Sequence, residues 1–375
     1  EEPPPQPAPS ADSGPQWLRL SARTPAALQR RIDDLRTYLE QAGVEVRLAD
    51  VAHTLDVGRV PMRHRAAVRA DSVEDALRAM ADPRRLRRGE ATEVRDVVLQ
   101  FPGHGVQRIG MARWLHAEFP ASRERIEAGI AHVLRSGGPD LRAVLLGGAP
   151  AAALDDVLLA HPALFVCECA LADALAALGL RPAAVLGCSL GEFAAATVAG
   201  VVSFEDALTA VVASGRAILA PGSMFTAYCS EDEARALAGD AAIAAVYDDD
   251  AVVLSGEAQA VAEARQRCER AGVRTAPLRA DRGFHSPLMA SAVAELERVF
   301  AALTWRAPGL PMFSAAVGGA LSAESAQSPR HWAGILSAPV RYRDALTALG
   351  EQVAHVLVET GPGVSLTAVA LQRRA

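Results

Sequence analysis

The strongest chemical signal in the sequence is a serine flanked by glycines. The segment Gly187-Cys188-Ser189-Leu190-Gly191 follows the apolar stretch AAVLG at 183–187 and precedes the helix-forming stretch EFAAATVAG. Glycine on both sides permits the tight strand-to-helix turn of a nucleophile elbow, which pushes the serine hydroxyl out of the sheet. The helix N-terminus behind such a serine offers free amides and a positive dipole end to an oxyanion. The pattern therefore predicts that Ser189 is a nucleophile.

A serine hydroxyl needs a base, and the nine histidines differ in how well they could serve as one. His285 lies in the segment RGFHSPLM at 282–289, a predicted turn after a strand, and His104 and His161 also fall in turns. Surface or core roles are expected for the other six, which are His53, His64, His116, His132, His331 and His355. No aspartate completes a Ser-Asp-His order, so we expect a Ser189–His285 dyad oriented by the backbone.

Composition narrows the class of protein. The chain has 375 residues, 50% of them hydrophobic, which is enough for more than one compact unit. A net charge of -6, from 38 basic and 44 acidic residues, argues against a nucleic-acid partner. No charge-free apolar run of ~20 residues and no secretory leader is visible, so we expect a cytoplasmic protein without a membrane partner. The five cysteines lack metal-ligand spacing and are expected to be reduced thiols, with no metal site; they are Cys167, Cys169, Cys188, Cys229 and Cys268.

The chain divides into segments that could position these motifs. The Pro-rich residues 1–15 are predicted to be a disordered leader, typical of a boundary between domains of a longer protein. Residues 16–92 are predicted to form a small α/β unit, with the arginine run at 84–88 as a solvated linker face. Alternating strands and long helices predict an α/β domain with a largely parallel sheet over 93–222 and 286–375. The order strand-helix-strand-strand-helix-strand predicts a ferredoxin-like insertion at 223–285.

Four motifs in order resemble those of acyl-CoA:acyl carrier protein acyltransferases. They are FPGHGVQRIGM at 101–111, GCSLGE at 187–192, GFHSPLM at 283–289 and ETGPG at 359–363. This family contains the malonyl transferases of fatty-acid synthesis and the acyltransferase domains of modular polyketide synthases. Residues 16–92 resemble the linker between ketosynthase and acyltransferase in such synthases. The resemblance implies a hydrolase-like α/β body with an inserted ferredoxin-like subdomain, preceded by the small α/β linker domain.

The resemblance also implies a reaction and its partners. An acyl group would move from a coenzyme A or carrier thioester to the phosphopantetheine thiol of an acyl carrier protein, without a bound cofactor. A ketosynthase domain would neighbour this one in the parent chain. Ser189 would attack the thioester, and His285 would take its proton and later activate the carrier thiol. The backbone amides of His104 and Leu190 would hold the oxyanion, and the carbonyl of Ile335 would orient the histidine.

One departure from the family lies in the expected acyl pocket. In members specific for dicarboxylates, an arginine 25 residues after the serine pairs with the free carboxylate of malonyl or methylmalonyl. Counting from Ser189 reaches Ser214 instead. A guanidinium matches a carboxylate with two parallel hydrogen bonds, and a buried carboxylate left unpaired costs about 3–5 kcal/mol. We therefore expect an acyl group other than malonyl or methylmalonyl.

Other predicted pocket residues also differ from the family pattern. Cys188 stands where the family has histidine before the nucleophile, and His104 and His161 stand where it has glutamines. Tyr247 replaces an asparagine on the small subdomain and precedes three aspartates, which could bind an amino or hydroxyl substituent or form a solvated turn.

Two further pocket predictions stay open at this point. Phe284 is common in malonyl-type members and equally suits a plain apolar lining. Arg282 could bind a carboxylate from a new direction or be a surface arginine. A pocket that has lost its function is one explanation of all these changes, but the retained Ser189 and His285 favour intact chemistry with a changed substrate.

The sequence thus leaves three functional hypotheses. The first is an acyltransferase that loads a non-malonyl group onto a carrier protein through acyl-Ser189. The second is an acyl hydrolase of the same fold, in which water attacks the acyl-serine and strips acyl groups from carriers. The third is a non-catalytic docking domain, which would form no acyl-serine at all.

Overall fold

The structure, a computed structural model, describes residues 15–43, 46–91, 96–278, 280–352 and 355–373. These residues form two compact units, one before and one after the gap at 92–95. The predicted boundary at 92/93 lies outside the described residues. The predicted leader at 1–15 does so as well, apart from its last residue.

The first unit is a three-stranded antiparallel sheet with helices packed on it. Its strands, in sheet order, are β1 (Gln16–Ala22), β2 (His64–Ala70) and β3 (Arg87–Glu90). Its helices are α1 (Pro25–Ala42), α2 (Leu48–Val57) and α3 (Val73–Ala81). Alternate residues of the strands, among them Leu18, Leu20 and Val68, are buried in one core with the apolar stripes of the helices. This is the small α/β unit that the sequence predicts.

The arginine run at 84–88 differs from the prediction of a linker face. Arg87 and Arg88 lie in β3, where they pair with Ala67 and Ala66 of β2. All four residues of β3 are exposed, so an edge strand can carry arginines whose side chains extend into solvent. The arginine-rich sequence therefore gave no indication that part of this segment forms a strand.

The second unit contains nine strands and thirteen α-helices among the described residues. The strands are β4 (Asp96–Phe101), β5 (Ala184–Gly187), β6 (Ser223–Ala227), β7 (Ala242–Asp248), β8 (Ala251–Gly256), β9 (Thr275–Pro277), β10 (Met312–Ser314), β11 (Gly319–Ala320) and β12 (His355–Glu359). The helices are α4 (Arg113–Glu118), α5 (Pro120–Arg135), α6 (Arg142–Leu146), α7 (Val157–Ala177), α8 (Gly191–Val198), α9 (Phe204–Ala217), α10 (Glu231–Ala238), α11 (Ala258–Arg270), α12 (Ala290–Phe300), α13 (Ala323–Ala326), α14 (Pro329–Gly334), α15 (Tyr342–Gln352) and α16 (Ser365–Gln372).

The main sheet of this unit has the order β11-β10-β5-β4-β12. Strands β10, β5, β4 and β12 are parallel, and only the short β11 runs antiparallel, at one edge. Strand β5 is a continuous apolar run, and β4 is apolar except at Asp96 and Gln100, as expected where helices cover both faces of a parallel sheet. The largely parallel α/β body is as predicted, and the carboxyl ends of β4 and β5 lie side by side, with Phe101 opposite Gly187.

Helix α7 is the most apolar element of the core. By length and composition it is the single helix in the described part of the chain that could cross a membrane, yet 78% of its apolar window is buried inside the unit. It packs against α5, α8 and α9, and Pro162 lies within it. A helix that is apolar on all sides is typical of the centre of a large domain.

The inserted subdomain is a four-stranded antiparallel sheet of order β7-β8-β6-β9, with α10 and α11 as its two helices. This βαββαβ order is the ferredoxin-like arrangement that the sequence predicts, and its elements span Ser223 to Pro277. Backbone hydrogen bonds join it to the α/β body. The N–H of Val246 donates to the carbonyl of Val340, and the N–H of Val340 donates to Ala244, each at 2.8 Å. The insertion is thereby held beside the carboxyl ends of β4 and β5.

Candidate active site

Ser189 lies in the tight turn between β5 and α8, where the sequence predicts a nucleophile elbow. Its φ is 55°, a left-handed conformation that costs energy for a residue with a side chain and clusters at functional sites. The flanking glycines are required by close packing. A Cβ at Gly187 would lie 2.5 Å from the Cα of Glu192, and a Cβ at Gly191 would overlap the carbonyl oxygen of Phe101. The strained turn holds the serine at the carboxyl edge of the sheet.

Ser189 and His285 form the contact that a dyad requires. The Oγ of Ser189 and the Nε2 of His285 are 2.8 Å apart, although 96 residues separate them in the chain. His285 also has a positive φ, of 57°, and its backbone N–H donates to the carbonyl of Leu336 at 3.0 Å. In the described residues, these two are the non-glycine residues with positive φ.

The carbonyl that orients His285 is not the one that we predict from the sequence. The Nδ1 of His285 donates to the carbonyl oxygen of Ala338 at 2.8 Å, and Ile335 makes the lesser backbone contact with the ring. The α14 helix ends at Gly334, so the chain turns beneath the imidazole and directs more than one carbonyl at it. A proton fixed on Nδ1 leaves Nε2 free to accept the serine proton. Burial lowers the pKa of His285, and the two carbonyls oppose that shift.

Two backbone amides near Ser189 are free to bind an oxyanion. The loop after β4 passes over the elbow so closely that a Cβ at Gly103 would lie 3.0 Å from the Cβ of Ser189. Within the described ranges, the N–H groups of His104 and Leu190 donate to no protein acceptor. Both residues face the same cavity as Ser189. Their predicted role as an oxyanion hole is therefore compatible with the geometry.

A cavity of about 260 Å³ opens beside the dyad, between the α/β body and the inserted subdomain. Nine of the predicted site residues line it, and they are Ser189, His285, His104, Leu190, Ile335, Ser214, His161, Phe284 and Tyr247. Apolar side chains that the sequence analysis did not single out complete the wall, including Phe193, Met224 and Trp332. The described lining residues include no aspartate, glutamate, lysine or arginine, so the histidines among them are the residues there that could carry a positive charge.

Two residues predicted for the acyl pocket do not line the cavity. Cys188 is buried behind it, where its thiol meets the hydroxyl of Tyr247, and burial raises the pKa of that thiol. The alternation of the strand continues into residue 188, which turns this side chain to the face opposite Ser189. Arg282 donates to the carboxylate of Asp281 at 2.7 Å and to its carbonyl at 3.1 Å. The cavity lining therefore does not include Cys188, contrary to the prediction, and of the two alternatives left open for Arg282, an arginine outside the acyl pocket fits the structure.

Ser214 occupies the cavity wall, and its hydroxyl is already engaged. Its Oγ donates to the carbonyl of Ala210 at 2.9 Å, one turn earlier in α9. The nearby Arg216 points elsewhere, because its guanidinium donates to the carbonyl of Ser136 at 2.6 Å. Neither residue presents a cation to the cavity.

The aspartate run after Tyr247 does not contribute to the cavity. Asp248 accepts from Arg373 at 3.1 Å, and the side chain of Asp249 is 80% exposed. Tyr247 itself lines the cavity while its hydroxyl contacts Cys188, and burial raises the pKa of that phenol. Of the two readings of this run, the solvated turn fits the structure.

His104, His161 and Phe284 form an aromatic cluster on the wall. The Nε2 of His161 lies 3.2 Å from the Nδ1 of His104, with the ring centroids 5.1 Å apart. Phe284 packs on both rings, at 5.7 Å from His104 and 5.9 Å from His161. Burial lowers the pKa of His161 to about 3 and also lowers that of His104. Both imidazoles are therefore neutral near pH 7.

Glu192 is a site residue that the sequence analysis missed. It is fully buried in the first turn of α8, and its Oε1 accepts from the Oγ of Ser314 at 2.8 Å and from the N–H of Ala316 at 3.0 Å. Burial raises its pKa to about 8. These bonds tie the elbow to the end of β10. The sequence feature that could have indicated a buried glutamate here is its position directly before the apolar run FAAA.

Metal-ligating side chains are not clustered in the part of the chain that the structure describes. No group of three or more His, Cys, Asp or Glu residues there could hold a metal ion. All five cysteines are free and buried.

Family models match both units. Residues 98–373 match the model described as "Acyl transferase domain", and residues 19–84 match the "RhiE-like, KS-MAT linker domain". Among curated proteins, the chain is 36% identical over 369 residues to "Spectinabilin polyketide synthase system protein NorB" of Streptomyces orinoci. That alignment covers 94% of this chain but only 17% of the relative, so the chain spans about a sixth of the relative's length.

Solved structures with the same fold include acyltransferase domains. The acyl transferase domain of SpnD in complex with 2-(pent-4-yn-1-yl)malonyl has a TM-score of 0.87 and 32% identity, covering 96% of this chain and 87% of that one. A loading acyltransferase from the avermectin modular polyketide synthase has a TM-score of 0.68 and 30% identity, covering 74% of this chain and 92% of that one.

Proposed function

The chain belongs to the acyl transferase domain family of modular polyketide synthases, and from that premise we propose that it moves an acyl group from a thioester to a carrier protein through an ester on Ser189. The observation that carries the proposal is the 2.8 Å contact between the Ser189 Oγ and the His285 Nε2. The thioester supplies the free energy of transfer, so the reaction needs no resident cofactor.

In the first half-reaction, the Oγ of Ser189 attacks the thioester carbonyl while its proton passes to the Nε2 of His285. The negative oxygen of the tetrahedral intermediate accepts the N–H groups of His104 and Leu190. The carbon–sulfur bond then breaks, and the departing thiolate takes the proton from His285. Ser189 is left as an ester, and a free thiol leaves the site.

In the second half-reaction, the phosphopantetheine thiol of an acyl carrier protein enters and gives its proton to the Nε2 of His285. The thiolate attacks the ester carbonyl, the bond to Ser189 breaks, and the proton returns to the serine oxygen. The Ala338 carbonyl supports both steps, because it accepts the hydrogen bond from the Nδ1–H and stabilises the imidazolium that forms when Nε2 takes a proton. The kinetic pattern is ping-pong.

The acyl group that we propose is uncharged. Ser214 stands at the position where dicarboxylate-specific members carry arginine, and Arg216 and Arg282 donate to other partners. No described residue of the lining is an arginine, so a buried carboxylate would find no cation among them and would be left unpaired at a cost of about 3–5 kcal/mol. Among structurally similar proteins, the SpnD acyl transferase domain is in complex with a substituted malonyl group, and the avermectin domain is a loading acyltransferase. The fold by itself therefore does not decide between a charged and an uncharged acyl group.

The proposed partners follow from the linker and the relatives. The match to a KS-MAT linker at 19–84 supports a ketosynthase as the neighbouring domain, and the carrier protein is the acceptor in the second half-reaction. Since the donors and the carrier are cytoplasmic molecules, we propose the cytoplasm as the location.

The test is intact-protein mass spectrometry after incubation with malonyl, methylmalonyl, acetyl, branched-chain and aromatic coenzyme A thioesters. We expect an adduct from an uncharged donor that is absent in Ser189→Ala. Adding a phosphopantetheinylated carrier protein should move that acyl group to the carrier. A second variant is Arg279→Ala, which removes the arginine that stands in the sequence between two residues of the cavity wall, Leu278 and Ala280, and is itself outside the described residues.

Each contrary result has a distinct meaning. A dominant malonyl or methylmalonyl adduct would refute the proposed substrate class, and its loss in Arg279→Ala would identify the cation responsible. Release of free acid with no transfer to the carrier would favour the hydrolase. Absence of both adduct and thiol release with every donor would favour the docking domain.

A further inference from the structure

The two histidines on the cavity wall, His104 and His161, both differ from the family pattern and lie in contact with each other. The family pattern has glutamine at both positions, which lie 57 residues apart in this chain, and the structure brings their side chains to 3.2 Å. Each imidazole is neutral, so the pair shares one hydrogen bond and retains one further N–H and one further unprotonated nitrogen. Their assignment depends on which nitrogen of each ring carries the proton.

Gln107 contacts the same ring. Its Oε1 accepts the backbone N–H of Gly105 at 2.6 Å, which turns its NH₂ group toward His104, at 3.4 Å from each ring nitrogen. Because the NH₂ group is equally far from both nitrogens, it is compatible with both neutral tautomers of His104. In one tautomer the Nδ1–H of His104 donates to the Nε2 of His161, and the neutral His161 carries its own proton on Nδ1. In the other, the Nε2–H of His161 donates to His104, and the Nδ1 of His161 is an unprotonated acceptor.

In both tautomers one polar ring atom is left without a protein partner. His161 is 5% exposed and lines the cavity, and its Nδ1 has no hydrogen-bond partner among the described residues. In the free protein, water can satisfy such a group. A hydrocarbon chain that displaced the water would leave this nitrogen buried and unpaired. A hydroxyl on the chain would satisfy it in either tautomer, and a keto oxygen would satisfy it when Nδ1 carries the proton.

We propose that this domain selects an uncharged acyl group that carries a hydroxyl or keto oxygen, and that this oxygen forms a hydrogen bond with the Nδ1 of His161. The inference rests on the proposed function and specifies its substrate. A site built to bond a polar group discriminates strongly against the analogue that lacks it, because the protein group is then left unpaired. A carboxylate on the acyl group would be stabilised less at this position than an uncharged oxygen, because a neutral imidazole cannot balance its negative charge.

The experiment compares isosteric donors. One pair is 3-hydroxybutyryl- and 3-methylbutyryl-coenzyme A, and the other is 4-oxopentanoyl- and 4-methylpentanoyl-coenzyme A. The initial rate of thiol release and the Ser189 adduct are both measured, so that rapid hydrolysis of the ester does not hide acylation. We expect the oxygenated member of at least one pair to react about 10- to 100-fold faster.

Two variants assign the preference to His161. His161→Phe keeps an aromatic ring against Phe284 but has no polar ring atom, so the ratio of rates within each pair should fall to about one, whatever the absolute rates of the variant. His161→Gln restores a side-chain donor and should keep a preference. The ratio within one variant cancels any general effect on the oxyanion loop. If His161→Phe does not fold, the rate ratios of the wild type and of His161→Gln still test the proposal, because it requires a preference for the oxygenated donor in both.

Equal rates within both pairs in the wild type, or an unchanged preference in His161→Phe, would overturn this inference and leave the acyl transfer itself standing. A malonyl adduct that exceeds all four donors would overturn it together with the uncharged substrate class. No adduct and no thiol release from any donor would overturn it together with the proposed function.

Discussion

The dyad and the wall of the acyl cavity are held in different ways. The dyad depends on backbone: positive φ at Ser189 and His285, a carbonyl from Ala338, and close packing around Gly103 and Gly191. The wall depends on side chains that project from α7, α9 and the inserted sheet. Backbone geometry survives many side-chain changes, whereas each wall residue changes the cavity directly. Chemistry and substrate choice can therefore diverge independently in this fold.

The wall also shows how one change is accommodated by another. His104 and His161 contact each other, and Phe284 packs on both. The N–H of His104, which we propose for the oxyanion, belongs to the backbone and is unaffected by its own side chain. The same residue can thus serve the reaction with its amide and the substrate with its ring.

The largest expected effect is the loss of the base. His285→Ala should lower the rate of Ser189 acylation by about 10²- to 10⁴-fold, because Nε2 no longer accepts the serine proton. The rate of thiol release after mixing with the preferred thioester measures it. His116→Ala is the control, since His116 pairs with Glu127 outside the cavity and should keep the rate within about twofold. An unimpaired His285→Ala would contradict the role of the dyad.

The next effect tests whether a single wall residue sets the substrate class. Ser214→Arg should raise the malonyl rate relative to an uncharged donor by about 10- to 100-fold, because a guanidinium can pair with the malonyl carboxylate. The ratio is measured within the variant, so a general loss of stability cancels. Ser214→Met introduces similar bulk without charge and should not favour malonyl. An equal gain in both variants would show that volume, and not charge, excludes malonyl.

The smallest effect is in the pH profile. Burial lowers the pKa of His285 below its ordinary value of 6.5, despite the opposing carbonyls of Ala338 and Ile335. Acylation needs the neutral ring, so the rate should fall as the pH is lowered and the ring becomes protonated, with a midpoint below pH 6.5. Stopped-flow acylation as a function of pH measures the midpoint. A midpoint above pH 6.5 would mean that the carbonyls outweigh burial.

Local sequence predicted the elements wherever one strong local rule applied. The elbow of Ser189 and the βαββαβ order of the insertion follow from glycine placement and from periodicity. The prediction failed for β3, because an exposed edge strand made of arginine, glycine and glutamate has no apolar alternation.

By itself, the sequence predicted the nucleophile and its base, indicated the family and placed serine at position 214, because residue types at fixed local spacing carry that information. Only the tertiary structure decided which carbonyl orients His285, that Cys188 and Arg282 miss the cavity, and that His104 and His161 touch. Those facts depend on how loops distant in sequence converge at the carboxyl edge of the sheet. Side-chain direction at such convergences is set by packing and hydrogen bonds among many residues, and no local pattern encodes it.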